Sequence, residues 1–150
     1  MTETTHVSTE GGLAFEDGPD RGRILVSGQD TGGRYSLMEW TVAPSTVPLG
    51  YGPHRHREIE ETFLIRSGHL EFLLNDQVTS MGPGDFVRVP PGIRHGYANI
   101  SGQPVEMLVS FHPGGFEQLF IKYRTDSETP LDGTGFLTDA TADFASEFET

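Results

Sequence analysis

Two stretches of the chain decide its fold: HRHREIEETFLIRSG at residues 54–68 and GDFVRVPPGIRHGYAN at residues 84–99. The first begins with His54 and His56, which are two residues apart. On a strand both imidazoles leave the same face, because side chains alternate with a period of two. The first stretch therefore presents two imidazoles that can reach one metal ion.

A carboxylate and a third imidazole extend this pair. Glu61 stands at the start of an apolar run that predicts a strand, and His95 follows a Pro-Pro-Gly turn, on another predicted strand. Three imidazoles and one carboxylate suit iron, manganese, nickel, cobalt, copper or zinc as divalent ions, whereas all-oxygen sites suit magnesium and calcium. Four protein ligands on a metal that prefers five or six leave a position open, as catalytic sites do.

The order and spacing of these residues resemble the two sequence motifs of the cupin family. The first motif, H-x-H-x4-E-x6-G, is matched by His54, His56, Glu61 and Gly68. The second, G-x5-P-x-G-x2-H-x3-N, is matched by Gly84, Pro90, Gly92, His95 and Asn99. The spacer of residues 69–83 resembles that of small microbial single-domain cupins. One departure is Pro48, which stands where the family often has a leading glycine.

The resemblance implies an all-β cupin barrel, a double-stranded β-helix of the jelly-roll type. It also implies one divalent transition metal ion, held by His54, His56, Glu61 and His95. Among small cupins the chain looks most similar to quercetinase-like and polyketide-cyclase-like proteins. Since small cupins are commonly dimers, a homodimer is expected.

Neighbouring residues of the same types compete for the ligand roles. Glu58 and Glu60 lie inside the first motif, between His56 and Glu61, and the family also tolerates the shorter spacing of Glu60. Only Glu61 keeps six residues before Gly68, so Glu61 is the predicted ligand. The remaining histidines are expected on the surface or in ordinary hydrogen bonds, and they are His6, His69 and His112.

Short segments punctuated by Gly and Pro predict an all-β sandwich or barrel. Strands are predicted at residues 23–27, 34–43, 61–65, 70–74, 87–89 and 105–111. A short helix is predicted after Pro113, because an apolar stripe is formed by Phe116, Leu119, Phe120 and Tyr123. Such a stripe favours packing of the helix on the core over a role as a pocket lid. The predicted organisation is an irregular arm at residues 1–22, a barrel at 23–124 and an acidic tail at 125–150.

The acidic tail contains no Lys or Arg after Arg124. Its composition is typical of a solvated, partly mobile terminus, which is the favoured interpretation. The alternative is a helix that docks on the barrel through Ala140, Phe144 and Phe148, which stand at i, i+4 and i+8.

Charge and composition narrow the classes of partner and site. The formal net charge of −12 argues against binding to nucleic acid or anionic membranes, because such a surface repels phosphates. Zero cysteines exclude disulfides and thiolate ligands, so nitrogen and oxygen must hold any metal. The first thirty residues show no positively charged start followed by an apolar block, and a cytoplasmic location is expected.

The leading functional hypothesis is a metal-dependent dioxygenase similar to the quercetinases. In this interpretation O2 attacks an activated carbon of a small aromatic or polyketide-like substrate, and Glu61 is both a ligand and the catalytic base. Candidate pocket walls are the apolar residues expected to face inward, although each one alone is more typical of core. They are Met38, Trp40, Phe63, Phe72, Met107 and Phe111.

Two other functions fit the same residues. A redox-neutral cyclase, isomerase or lyase of natural-product biosynthesis would use the metal only as a Lewis acid on a carbonyl group. A ligand- or metal-binding module would hold its guest without turnover. Product formation without oxygen separates the first of these alternatives from the dioxygenase.

Overall fold

The computed structural model describes residues 3–44, 53–125 and 134–148. Eleven strands and two helices form within these ranges. The strands are β1 (Leu13–Asp17), β2 (Asp20–Val26), β3 (Ser36–Val42), β4 (His54–His56), β5 (Glu60–Ser67), β6 (Leu70–Leu74), β7 (Gln77–Met81), β8 (Phe86–Val89), β9 (His95–Ala98), β10 (Val105–His112) and β11 (Ser146–Phe148). The helices are α1 (Glu117–Lys122) and α2 (Thr134–Phe144). The predicted short helix after Pro113 is confirmed as α1.

The strands form two antiparallel sheets. The six-stranded sheet has the order β1-β2-β3-β10-β5-β8, and the five-stranded sheet has the order β11-β4-β9-β6-β7. Strands β5 and β6 are consecutive in the chain but belong to different sheets. The predicted all-β jelly roll is therefore confirmed.

Alternating side chains of both sheets build one hydrophobic core. In the six-stranded sheet, Met107 on β10 lies opposite Trp40 on β3, and Val109 lies between Met38 and Phe63. All five are buried. Burying a large apolar side chain contributes about 1.5–3 kcal/mol, so this interior layer is the main source of stability for the sheet.

The N-terminal arm differs from its prediction. Irregular backbone was expected throughout residues 1–22, but β1 and β2 form a hairpin whose turn contains Gly18 at a φ of 58°. Phe15 lies opposite Gly22, and a Cβ atom at Gly22 would come within 2.3 Å of the Phe15 ring. Phe15 thus enters the core over Gly22 of β2, which has no side chain, so the sequence of β2 shows no apolar residue at that position.

The C-terminal segment also differs from the favoured interpretation. Helix α2 buries Phe136 and Ala140, so residues 134–148 pack on the barrel instead of extending into solvent. The alternative prediction of a docked helix agrees with the structure as far as Phe144, where α2 ends. Phe148 lies on β11 and not on the helix. Residues 126–133 lie outside the described residues, as does Pro48. Among the described residues no helix has the length and apolar character needed to cross a lipid bilayer.

Candidate metal centre

Three strands from the two sheets bring the predicted ligands together. His54 and His56 lie on β4, and His95 lies opposite His54 on the neighbouring strand β9. Glu61 comes from β5 in the facing sheet. The ligand-type atoms of these four residues all lie within 4.8 Å of one another. We call them the His–Glu cluster.

Glu61 is the centre of this cluster. Its Oε2 atom lies 3.3 Å from Nε2 of His56 and 3.1 Å from Nε2 of His95. Glu61, His56 and His95 are buried, whereas His54 is partly exposed. The cluster therefore approaches solvent on the side of His54.

Hydrogen bonds on the far side of two rings orient the imidazoles. His95 donates from Nδ1 to the carbonyl of Ile93 at 2.9 Å, because a carbonyl can only accept. The Nδ1 atom of His56 lies 2.7 Å from the hydroxyl of Ser146. In both rings Nε2 is consequently the atom presented to the cluster.

The charges of the cluster depend on one another. Burial favours the neutral form of Glu61, but hydrogen bonds and positive charge from His56 and His95 outweigh it and hold the pKa of Glu61 well below its ordinary value. Burial would lower the pKa of His95, yet the hydrogen bond to Glu61 and the charge of Glu61 raise it. The buried carboxylate thus stays ionised beside a basic imidazole.

A family model described as the cupin domain matches residues 38–111, which include all four residues of the His–Glu cluster. The protein belongs to the cupin superfamily. Its all-β fold and its two sheets agree with this membership.

Solved structures of other cupin-like proteins share the fold. KdgF from Halomonas sp. is 14% identical, with 78% of this chain and 99% of that chain covered at a TM-score of 0.64. Streptomyces Pac13, a nucleoside dehydratase, is 19% identical, with 77% and 88% covered at 0.58. A sugar phosphate isomerase of the cupin superfamily from Silicibacter pomeroyi is 17% identical, with 71% and 74% covered at 0.59. No curated protein sequence matches this cupin.

The donor set of the cluster fits a divalent transition metal ion. Three imidazoles and one carboxylate are borderline-soft ligands, and their ligand-type atoms lie close enough to share one ion. The Nε2 atoms of His56 and His95 already face the carboxylate, since their Nδ1 atoms are engaged elsewhere. Metal-binding histidines commonly use their second nitrogen in this way.

The competing acidic residues lie outside the cluster. Glu58 is exposed, and Glu60 faces away from Glu61 and pairs with Arg88. His112 accepts or donates a hydrogen bond with Ser110 at 2.9 Å. The other two histidines, His6 and His69, are exposed.

The predicted pocket residues are all buried in the core at 3% exposure or less. Trp40 packs against Phe15 and Phe120, and Phe63 is 6.3 Å from His95 between ring centres. That these residues line a substrate pocket stays a prediction. The other members of the set are Met38, Phe72, Met107 and Phe111.

Aromatic rings that the pocket prediction omitted lie closer to the cluster. Phe148 stacks on His54 with ring centres 5.3 Å apart, and Phe116 meets His56 edge-on at 4.9 Å. Tyr97 shares the inward face of His95, and burial raises its pKa. Strand parity from His95 would have found Tyr97, whereas the three residues of β11 carry no comparable signal.

Two motif residues act on the backbone and not on the cluster. Gly68 has a φ of 85°, and a Cβ atom there would lie 2.7 Å from the carbonyl oxygen of Pro104. Asn99 is buried and donates to the carbonyls of Val42 and Gln103 at 3.1 and 2.7 Å. They shape the turns that hold β5 and β9 in place.

Proposed function

We propose that this cupin is a metal-dependent enzyme that acts on a small organic molecule. The observation that carries the proposal is the His–Glu cluster, whose four ligand-type atoms converge within 4.8 Å beside a partly exposed histidine. Four protein ligands on an ion that prefers five or six leave a position open, which is typical of catalysis and not of a purely structural metal.

In this proposal His54, His56, His95 and Glu61 hold the ion. A divalent ion bound there supplies a Lewis acid that stabilises negative charge on a substrate oxygen. Oε2 of Glu61 lies among the imidazoles, so Oε1 is the atom left to accept a proton from the substrate. The rings of Phe148 and Phe116 contact the imidazoles of His54 and His56.

The first candidate reaction is oxygenation of an aromatic or polyketide-like enol. The aromatic rings of Phe116 and Phe148 beside the histidines favour a flat, apolar substrate. Glu61 would remove the enol proton, and O2 would then add to the electron-rich carbon. This candidate is the quercetinase-like function predicted from the sequence.

The second candidate is redox-neutral lyase or isomerase chemistry. It is supported by two neighbours in fold: Pac13, a nucleoside dehydratase with a structure solved with uridine, and the sugar phosphate isomerase. The same carboxylate would move a proton in such a reaction, without oxygen. A third function, metal or ligand binding without turnover, uses the cluster but no proton transfer.

Metal analysis combined with paired aerobic and anaerobic assays tests the proposal. The purified protein should contain about one divalent transition metal ion, and His95→Ala should lose most of it. Oxygen uptake with flavonols and related dienols supports the first candidate, and anaerobic turnover of nucleosides or sugar phosphates supports the second.

His112→Ala is the matched control, because His112 lies outside the cluster. It should keep the metal and any activity. Equal metal content and equal turnover in wild type and His95→Ala would refute the proposed enzyme. Size exclusion checks the expected homodimer separately.

A further inference from the structure

Strand β11 places one residue beside each histidine of β4. Ser146 lies opposite His56, and Phe148 lies opposite His54. The strand comes from the C-terminal segment, about ninety residues along the chain from β4, and forms the edge of the five-stranded sheet within the described residues. The first two cupin ligands therefore share a ladder with a segment outside the cupin motifs.

The hydroxyl of Ser146 determines which nitrogen of His56 faces the cluster. Ser146 is 1% exposed, and its Oγ lies 2.7 Å from Nδ1 of His56. A metal ion at Nε2 needs the lone pair there, so Nδ1 must carry the proton and donate it to Ser146. The hydrogen bond thus favours the tautomer and the ring orientation that metal binding requires.

The ring of Phe148 orients the other histidine of β4. It stacks on His54 with ring centres 5.3 Å apart and an angle of 26° between the planes. His54 is the partly exposed member of the cluster. Stacking limits its rotation about the side-chain bonds.

Contacts on the opposite face hold β11 independently of the cluster. The carboxylate of Glu147 pairs with Arg57 and lies 3.7 Å from Arg55. The backbone N–H of Arg57 donates to the carbonyl of Ala145 at 3.1 Å. Helix α2, which leads into β11, is anchored by the buried Phe136. The strand is therefore positioned by the fold, without help from a metal.

We propose that β11 completes the metal centre, with Ser146 as a positioning residue for His56 and Phe148 as a positioning residue for His54. The inference rests on the proposed metal site and goes beyond it. It assigns the C-terminal segment, which carries no cupin motif, a direct effect on how tightly and in what geometry the ion is held.

The test measures cobalt(II) binding to wild type and Ser146→Ala by calorimetry and by the visible absorption of the bound ion. Outer hydrogen-bond partners of metal ligands typically change affinity by about 10- to 100-fold. Ser146→Ala should bind cobalt at least about tenfold more weakly, with a shifted absorption spectrum. The metal-free variant should keep the circular dichroism of the wild type.

Ser110→Ala is the matched control. It also removes a buried serine hydroxyl that is hydrogen-bonded to a histidine, because Oγ of Ser110 lies 2.9 Å from Nε2 of His112. His112, however, is outside the cluster. It should bind cobalt like the wild type. Ser146→Thr keeps a hydroxyl and should recover most of the affinity; a Thr variant as weak as Ala would assign the loss to packing and overturn the role of the hydrogen bond.

Phe148→Leu tests the stacking contact with His54. It also gives an independent test if Ser146→Ala does not fold. It keeps an apolar side chain but removes the stacked ring, and it should weaken cobalt binding and alter the spectrum. If the wild type binds no cobalt, the proposed metal site fails. If the wild type binds cobalt and both Ser146→Ala and Phe148→Leu match it in affinity and spectrum, only the role of β11 is overturned.

Discussion

The carboxylate Oε2 of Glu61 lies 3.1 Å from Nε2 of His95, and this buried pair links the two sheets. Glu61 is on β5 of the six-stranded sheet, and His95 is on β9 of the five-stranded sheet. Each residue perturbs the pKa of the other in the direction that favours a charged pair. A metal ion placed there must replace the proton on Nε2 of His95. Metal affinity therefore depends on how strongly Glu61 favours that proton.

Glu61→Gln should weaken metal binding more than any outer substitution. The variant removes the one anionic ligand and keeps nearly the same shape, so its effect is electrostatic. We expect zinc or cobalt affinity to fall by more than about 100-fold, the upper range for outer partners. Isothermal titration calorimetry or competition with a chelator measures the change.

Glu60→Gln is the control for this substitution. Glu60 is adjacent in sequence but faces outward and pairs with Arg88, and exposed ion pairs of this kind contribute about 0–1 kcal/mol to stability. Metal affinity should stay at the wild-type value. Equal losses in the two glutamine variants would contradict the central position of Glu61.

Metal affinity should fall as the pH decreases through the imidazole range. The pKa of His95 is raised above its ordinary 6.5, because Glu61 outweighs the effect of burial. Protonated His95 cannot bind a metal, so affinity should decline at a higher pH than an unperturbed imidazole would cause, and it should level off above that range. In Glu61→Gln burial acts on His95 without the carboxylate, and the decline should move to lower pH. A decline at the same pH in both proteins would contradict the coupling.

Strand parity and motif spacing predicted which side chains meet at the cluster. His54 and His56 share a face because they are two apart, and Glu61 faces them because β5 begins at Glu60 with its alternate residues inward. Glu60 then points away, as the spacing to Gly68 indicated. These relationships depend on spacing over a few residues, so they can be predicted from a single sequence.

The contribution of the C-terminal segment could not be predicted in the same way. Ser146 and Phe148 form part of a three-residue strand, which is too short to show a period of two. Its pairing with β4 depends on tertiary packing of α2, and the acidic composition of the segment indicated solvent instead. Phe15 was missed for a related reason, since the residue opposite it on β2 is Gly22, which has no side chain.

Ala145 should accept glycine without loss of stability. It links α2 to β11 at a φ of 50°, in the left-handed region that costs a residue with a Cβ about 1–2 kcal/mol. Glycine removes that cost but adds entropy to the unfolded chain, so Ala145→Gly should be neutral or more stable by up to about 1 kcal/mol. Urea denaturation of the metal-free protein measures the change.

The same substitution at Ala142 gives the opposite expectation. Ala142 is exposed inside α2, where glycine costs about 0.8–1.0 kcal/mol relative to alanine. A difference of about 1 kcal/mol or more between the two variants is expected. Equal destabilisation by both would show that the conformation of Ala145 carries no strain.

Glu117 should be a stabilising residue that is not part of the His–Glu cluster. It is fully buried at the start of α1, and its two oxygens accept hydrogen bonds from the backbone N–H groups of Gly28 at 2.6 Å and Gly115 at 2.7 Å. In Glu117→Gln the amide NH2 would face one of these donors and leave it unpaired, which costs about 1–3 kcal/mol. We expect the free energy of unfolding in urea to fall by that amount, with an unchanged dependence on urea concentration. Glu106→Gln, at an exposed position of β10, should change it by less than about 0.5 kcal/mol. Equal stability of the two variants would contradict the bridging role of Glu117.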